Sequence, residues 1–160
     1  MNNLKQLGTA IKMYTADNNG WYMPHINNGN TWYVYLRNYY KDPKVLICPS
    51  DRSPTWYIHD GKPRFMSYPL NHHATHYVNE NYDGVPGIWR YDWEGTILAI
   101  DGRTSGFGAN YVNRDMLNDG RWQMRHNNGA NVLYLDCHVE WNKRDYLDRN
   151  DNKMLTPQLD

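Results

Sequence analysis

The chain reads as an α+β domain with a helix at its start and short strands set among turns after it. Leu4, Leu7, Ile11 and Tyr14 fall at i, i+3, i+7 and i+10, one apolar stripe at helical spacing. TILAID (96–101) and GANVLYLDCHVEW (129–141) are short apolar runs of the length and composition that strands use. The strand candidates follow one another without helical patterns between them, an α+β order rather than alternating βαβ units. A length of 160 residues suits one domain, 1–160, with a real core.

The helix spans roughly residues 1–19 and stops at Asp17-Asn18-Asn19-Gly20, because Asn and Gly accept the left-handed conformation of a helix end. Its start is weakly punctuated, since Asn2 or Asn3 could cap but the pattern is already periodic there; a longer helix, entered part-way, is the expectation. TWYVYLRNYY (31–40) places Trp32, Tyr35, Leu36 and Tyr39 on one side of a short second helix. KVLICPSD (44–51) reads as a brief strand or extended segment closed by a turn at Pro49. Residues 52–93, rich in Pro, Gly, Asn, His and Tyr, read as a long irregular surface excursion. TILAID is a buried strand ending in the turn signal Asp101-Gly102. Asn128-Gly129 turns the chain into a strand from Asn131 to Leu135, and Asp136-Cys137 joins it to a second strand from His138 to Trp141. The polar tail that follows reads as irregular.

Composition excludes several functions. Formal net charge is zero and Lys and Arg nowhere cluster, so nothing points to nucleic acid or an anionic membrane surface. No run of about 18 apolar residues is present, and no signal peptide is visible. The sequence holds no GxSxG, P-loop or dinucleotide fingerprint. Cys137 and His138 are neighbours on a strand candidate and would point to opposite faces, which argues against a thiol–imidazole pair. For a metal-dependent hydrolase around His126, Asp136 and His138, no base, nucleophile and oxyanion donor converge. The expectation is therefore a non-enzymatic protein with no assigned cofactor.

Two further patterns bear on metals. His72, His73 and His76 form HHxxH, but Pro69, Asn71 and Thr75 weaken a helix there and no glutamate sits as in HExxH. Asp148, Asn150 and Asn152 follow the opening of a calcium loop, with Asp145 and Asp151 nearby. Lys153 stands where such a loop needs glycine, so Asp145, Asp148, Asn150 and Asp151 are candidate calcium ligands of a non-EF type beside the alternative of a solvated acidic tail. The two cysteines, Cys48 and Cys137, are either two buried thiols or one disulfide. A bond between them would close about 90 residues, worth on the order of 4 kcal/mol by chain entropy.

Fourteen Tyr and seven Trp against two Phe give the apolar content polar edges. Trp56, Tyr57, Tyr68, Tyr77, Tyr82, Trp89, Tyr91 and Trp93 could form a surface for a glycan or a protein partner, which makes a binding module the alternative function.

Three stretches together carry a family resemblance: NNLKQLGTAIKMYTADNNGWYMP (2–24), ICPSD (47–51) and RHNNGANVLYLDCHVEW (125–141), with SYPLN (67–71) between them. They resemble the type IV pilin-like, pseudopilin-like proteins with an H-X9-DG domain of planctomycetes, Lentisphaerae and their relatives. The pattern's histidine falls on His126 and its aspartate on Asp136; its glycine is replaced by Cys137. The resemblance implies a pilin-like fold, with residues 1–19 as the C-terminal half of a long helix packed on an antiparallel sheet and 20–160 as the head. It also implies a prepilin-type methylated leader and a hydrophobic membrane helix ahead of this segment. The expected role is an extracytoplasmic structural subunit of a type II secretion or type IV pilus-like system, anchored in the inner membrane. Its partners would be other pilin-like subunits or secretion machinery, with no nucleic acid, and the head alone would be monomeric or weakly associating. TADNNGWYMP also resembles a segment of major pseudopilins, which often bind calcium near C-terminal loops, and this keeps calcium as a candidate ligand of the tail. In this scheme His126, Asn128, Gly129, Asp136 and Cys137 are structural, shaping the hairpin and its entry, and a bond from Cys137 to Cys48 could offset strain where the family has glycine.

Overall fold

The computed structural model describes residues 1–24, 26–27, 30–59, 62–71, 81–82, 85–86, 95–102 and 123–147. Helix α1 runs Asn2–Asp17. Strands β1 (Ile26–Asn27) and β2 (Asn30–Thr31) form a small antiparallel ladder, and helix α2 (Trp32–Tyr35) follows directly. A 3₁₀ helix, Pro43–Leu46, leads to the antiparallel hairpin β3 (Thr55–His59) and β4 (Lys62–Met66). Strands β5 (Asn81–Tyr82) and β6 (Val85–Pro86) pair as a short ladder. The central sheet is antiparallel in the order β7 (Ile97–Ile100), β8 (Gly129–Tyr134), β9 (Val139–Lys143). The architecture is mixed α+β, with the N-terminal helix and a three-stranded antiparallel sheet as its frame.

Helix α1 packs on the sheet through the stripe that its spacing announces. Leu4, Leu7 and Ile11 are fully buried in one core with Leu98, Leu133 and Leu135, each worth about 2 kcal/mol of burial. Gly8 lets the helix come close: a Cβ there would stand 3.0 Å from the Cys137 carbonyl oxygen and from a Leu133 methyl. The fourth stripe residue, Tyr14, is half-buried and turns to α2 and the turn after it, meeting the rings of Tyr35 and Tyr39 edge-on at 6.4 and 5.7 Å. The helix ends at Asn18, with Asn19 and Gly20 both at positive φ, and the chain returns to bury Tyr22 and Met23. The Tyr22 hydroxyl donates to the Leu135 carbonyl.

The other face of the sheet is covered too. Ile97, Ile100, Ala130, Val132 and Tyr134 join Leu147, from a helical turn at 144–147, in a second core. Residues 132–135 of the sheet therefore split alternately between two cores, which is why all of β8 is buried. SYPLN lies along the free edge of β7: Leu70 bridges Ala99, the Asn71 amide N–H donates to Leu98 O, and its side chain donates to Ile97 O.

Three local expectations change. The second helix is only four residues long, its continuation at 36–39 being turns; a run of Trp, Tyr and Val loses side-chain freedom in a helix and supports it poorly. KVLI is not a strand. Asp42 accepts a hydrogen bond from the Lys44 amide and Pro43 takes the first helical position, starting a 3₁₀ turn that buries Val45 and Leu46. The excursion at 52–93 contains the β3–β4 hairpin, paired from Thr55↔Met66 to His59↔Lys62. Its second strand carries Lys62, Pro63 and Arg64, which hide the alternation, while Asp60-Gly61, a hairpin turn signal, stands before it in the sequence.

Candidate functional site

The end of β7 delivers Asp101 into the interior with no exposed surface. Its amide N–H donates to Asn131 O, and its Oδ2 accepts from both the Asn131 amide (2.9 Å) and the Asn131 side chain (3.0 Å). One backbone and one side-chain contact thus fix the carboxylate against β8. The 3₁₀ helix sets down Cys48, 1 % exposed, and a turn after it in which the Asp51 amide donates to Cys48 O.

His126 opens the turn into β8. His126 and Gly129 exchange both backbone hydrogen bonds, and Asn127 and Asn128 between them have φ of 52° and 55°. This is a two-residue turn with both central residues left-handed, so the turn residues are Asn127-Asn128 rather than Asn128-Gly129. Gly129 serves space instead of conformation: a Cβ there would lie 2.5 Å from Asn142 O and 2.6 Å from the Trp141 ring. That ring donates its Nε1–H to His126 O at 2.7 Å, pinning the histidine's backbone.

These segments bring Cys48, Asp101 and His126 together. His126 Nε2 is 3.4 Å from Cys48 Sγ and 3.1 Å from Asp101 Oδ2, and the three donor atoms lie within 4.8 Å of one another. Arg125, beside them, approaches Asp51 Oδ2 at 2.9 Å and Asp101 Oδ1 at 3.7 Å, and donates to Gly102 O. Both ion pairs are buried, but neither is an aligned hydrogen bond: Asp51 Oδ2, Asp101 Oδ1 and Arg125 Nη1 lack hydrogen-bond partners among the described residues. Ser67 Oγ and the Tyr68 hydroxyl share that state. Burial pushes the Cys48 thiol pKa up, with Asp101 adding to the effect while Ser50 and Arg125 oppose it. Burial, then Asp101 and Cys48, push the Tyr68 hydroxyl up as well.

The cluster is not built for nucleophilic relay. Cys48 and Asp101 both face the same nitrogen of His126, whereas a relay needs the base on one ring nitrogen and its orienting group on the other. The thiol is also buried and held protonated. What the residues can do is tie three distant chain segments together or hold a cation.

Asp136 does not meet His126. Its Oδ1 accepts from the His138 amide (2.9 Å) and contacts His138 Nδ1 at 2.6 Å, and the His138 ring stacks on Tyr134 at 4.3 Å. Of the two alternatives for Cys48 and Cys137, a disulfide or two thiols, the structure has the thiols: both cysteines are free. Cys48 sulfur turns to His126, while Cys137 sulfur sits 3.8 Å from Leu135 O in the hairpin turn under α1. Cys137 nevertheless keeps a glycine-like φ of 68°. Among the tail residues, Asp145 is exposed and pairs with Lys143 at 3.6 Å; Asp148, Asn150 and Asp151 lie outside the described residues. His72, His73, His76, Tyr77, Trp89, Tyr91 and Trp93 also lie outside them. Trp56, Tyr57 and Tyr82 fall within β3 and β5, and Tyr68 is buried, which removes it from any exposed aromatic surface.

No family model, curated protein or solved structure matches this chain.

Sequence reasoning missed Asp101 as a site residue and saw only a turn signal in Asp101-Gly102. It passed over Arg125 and Asp51, although both belong to the quoted motifs RHNNG and ICPSD.

Proposed function

We propose that this chain is the extracytoplasmic head of a type IV pilin-like, pseudopilin-like subunit, with a structural and non-enzymatic role in a type II secretion or type IV pilus-like system. The observation that carries the reading is α1 lying by Leu4, Leu7 and Ile11 against the antiparallel β7–β8–β9 sheet. A helix packed from Leu4 to Ile11 on a sheet, with the 3₁₀ helix Pro43–Leu46 beside it, is a rigid stem, suited to transmit position from a membrane anchor to a head. The motifs behind the family resemblance support it further: SYPLN edges the sheet, ICPSD and RHNNG meet at Asp101, and the LDCH turn receives the helix at Gly8. Such residues specify a scaffold, and the buried thiol and shared histidine nitrogen supply no catalytic relay. In this reading the subunit's partners are other pilin-like subunits or secretion machinery, and its membrane contact comes from a hydrophobic segment ahead of α1.

The test is the N-terminus of the native gene product. Reading the gene upstream of Met1 and analysing the mature protein by mass spectrometry should find a prepilin-type leader, cleaved, and a methylated residue opening a hydrophobic helix continuous with α1. A gene product whose natural N-terminus is unprocessed and has no hydrophobic segment would overturn the reading.

A further inference from the structure

We propose that Cys48, Asp101 and His126 form a binding site for a divalent d-block cation of the zinc type. The three supply a thiolate, a carboxylate oxygen and an imidazole nitrogen, the donor set that zinc takes and that calcium and magnesium do not. Zinc bonds of about 2.3 Å to sulfur and 2.0–2.2 Å to nitrogen and oxygen, at tetrahedral angles, space the donors roughly 3.4–3.6 Å apart. The sulfur–nitrogen and nitrogen–oxygen separations here are 3.4 and 3.1 Å. Those two separations fall within a few tenths of an ångström of that geometry, and all three donor atoms lie within 4.8 Å of one another.

The alternative is a plain hydrogen-bond cluster, and it leaves groups unsatisfied. His126 Nε2 carries at most one proton, yet Cys48 Sγ and Asp101 Oδ2 both face it. Asp101 Oδ2 already accepts two bonds from Asn131, while Oδ1 has no hydrogen-bond partner. The Tyr68 hydroxyl, almost fully buried, has none either, although Cys48 is close enough to perturb it. A bound cation resolves the conflict at His126 and the state of Tyr68, while Asp101 Oδ1 faces Arg125 at 3.7 Å. The cation takes the lone pair of a neutral His126, and it ionises the thiol, which gives Tyr68 a thiolate to donate to.

Charge also balances. One thiolate and one carboxylate neutralise a divalent ion, while Arg125 is matched separately by Asp51 at 2.9 Å. His126, 24 % exposed on its side chain, provides the way in from solvent. The site is independent of the reading of the chain as a pilin-like head.

Cobalt(II) and zinc(II) titrations of the purified, reduced protein test the proposal. The wild type and Cys137→Ser should each bind one cobalt per chain with a thiolate-to-cobalt charge-transfer band, and zinc should displace the cobalt and raise Tm. His126→Gln should weaken cobalt uptake at least roughly tenfold. Cys48→Ser, where it folds, should lose the band. Failure of the folded wild type to develop a thiolate band, loss of the band in folded Cys137→Ser, or its retention in Cys48→Ser would each overturn the site.

Discussion

At the residue scale, Cys137 keeps a glycine-like conformation and, of the two states open to it in the sequence, takes the free thiol. It stands where the resembled family has glycine, and its φ of 68° is the conformation that glycine would accept without strain. A disulfide offered one way to offset the cost, but the thiol is free. The left-handed geometry costs about 1–2 kcal/mol for a residue with a Cβ. Reductant should therefore leave the wild-type melting temperature unchanged. Cys137→Ala should be less stable than Cys137→Gly by about 1 kcal/mol, because both lose the thiol contacts and only alanine keeps the strain. Thermal melts of the three proteins with and without reductant check both statements. Gly129 makes the opposite demand. Its φ is unremarkable but it has no room, so Gly129→Ala should cost about 2–3 kcal/mol by displacing Trp141 and the His126 turn, read by urea denaturation.

Elements were legible where a period or a cap marks them. The stripe of α1 and the DNNG stop are local signals, and the helix follows them from Asn2 to Asp17. Strands β8 and β9 fall close to their expected places, although β8 begins at Gly129, two residues earlier than the apolar pattern suggests. The 3₁₀ helix had its signal in Asp42-Pro43, which an apolar run after it obscured. Asp101 could not be recognised from sequence because its partners lie 30 residues away at Asn131 and further still at Cys48. Tertiary pairing of that range leaves no local period. The stripe itself makes a contrast: Leu7→Ala should cost about 3 kcal/mol, whereas Met13→Ala, on the half-exposed outer face of the same helix, should stay within about 0.5 kcal/mol. Denaturant midpoints of the two variants measure it.

For the whole molecule, the abundance of buried tyrosine and thiol sets the response to pH. Burial raises the pKa values of Tyr22, Tyr68 and Tyr134, and it pushes the Cys137 thiol up to about 11 from a usual 9.0, with Asp136 adding and Lys12 and Tyr22 opposing. Each group is neutral when protonated and costly to ionise in place. Their stabilising effect is complete below the unfolded values and is lost as pH climbs through the folded ones. Cys137 alone accounts for roughly 2–3 kcal/mol of that loss. Urea midpoints should fall steeply between about pH 9 and pH 11, and Cys137→Ser should flatten the lower part of the fall. In the proposed function, the same buried framework would be the rigid head on a helical stem. The measurement that bears most directly on that account is fractionation of the native, full-length gene product in its own cells. The account predicts that it stays with the inner membrane after an alkaline carbonate wash and that protease added from the extracytoplasmic side cleaves the head. A product found wholly in the cytoplasmic soluble fraction would contradict it.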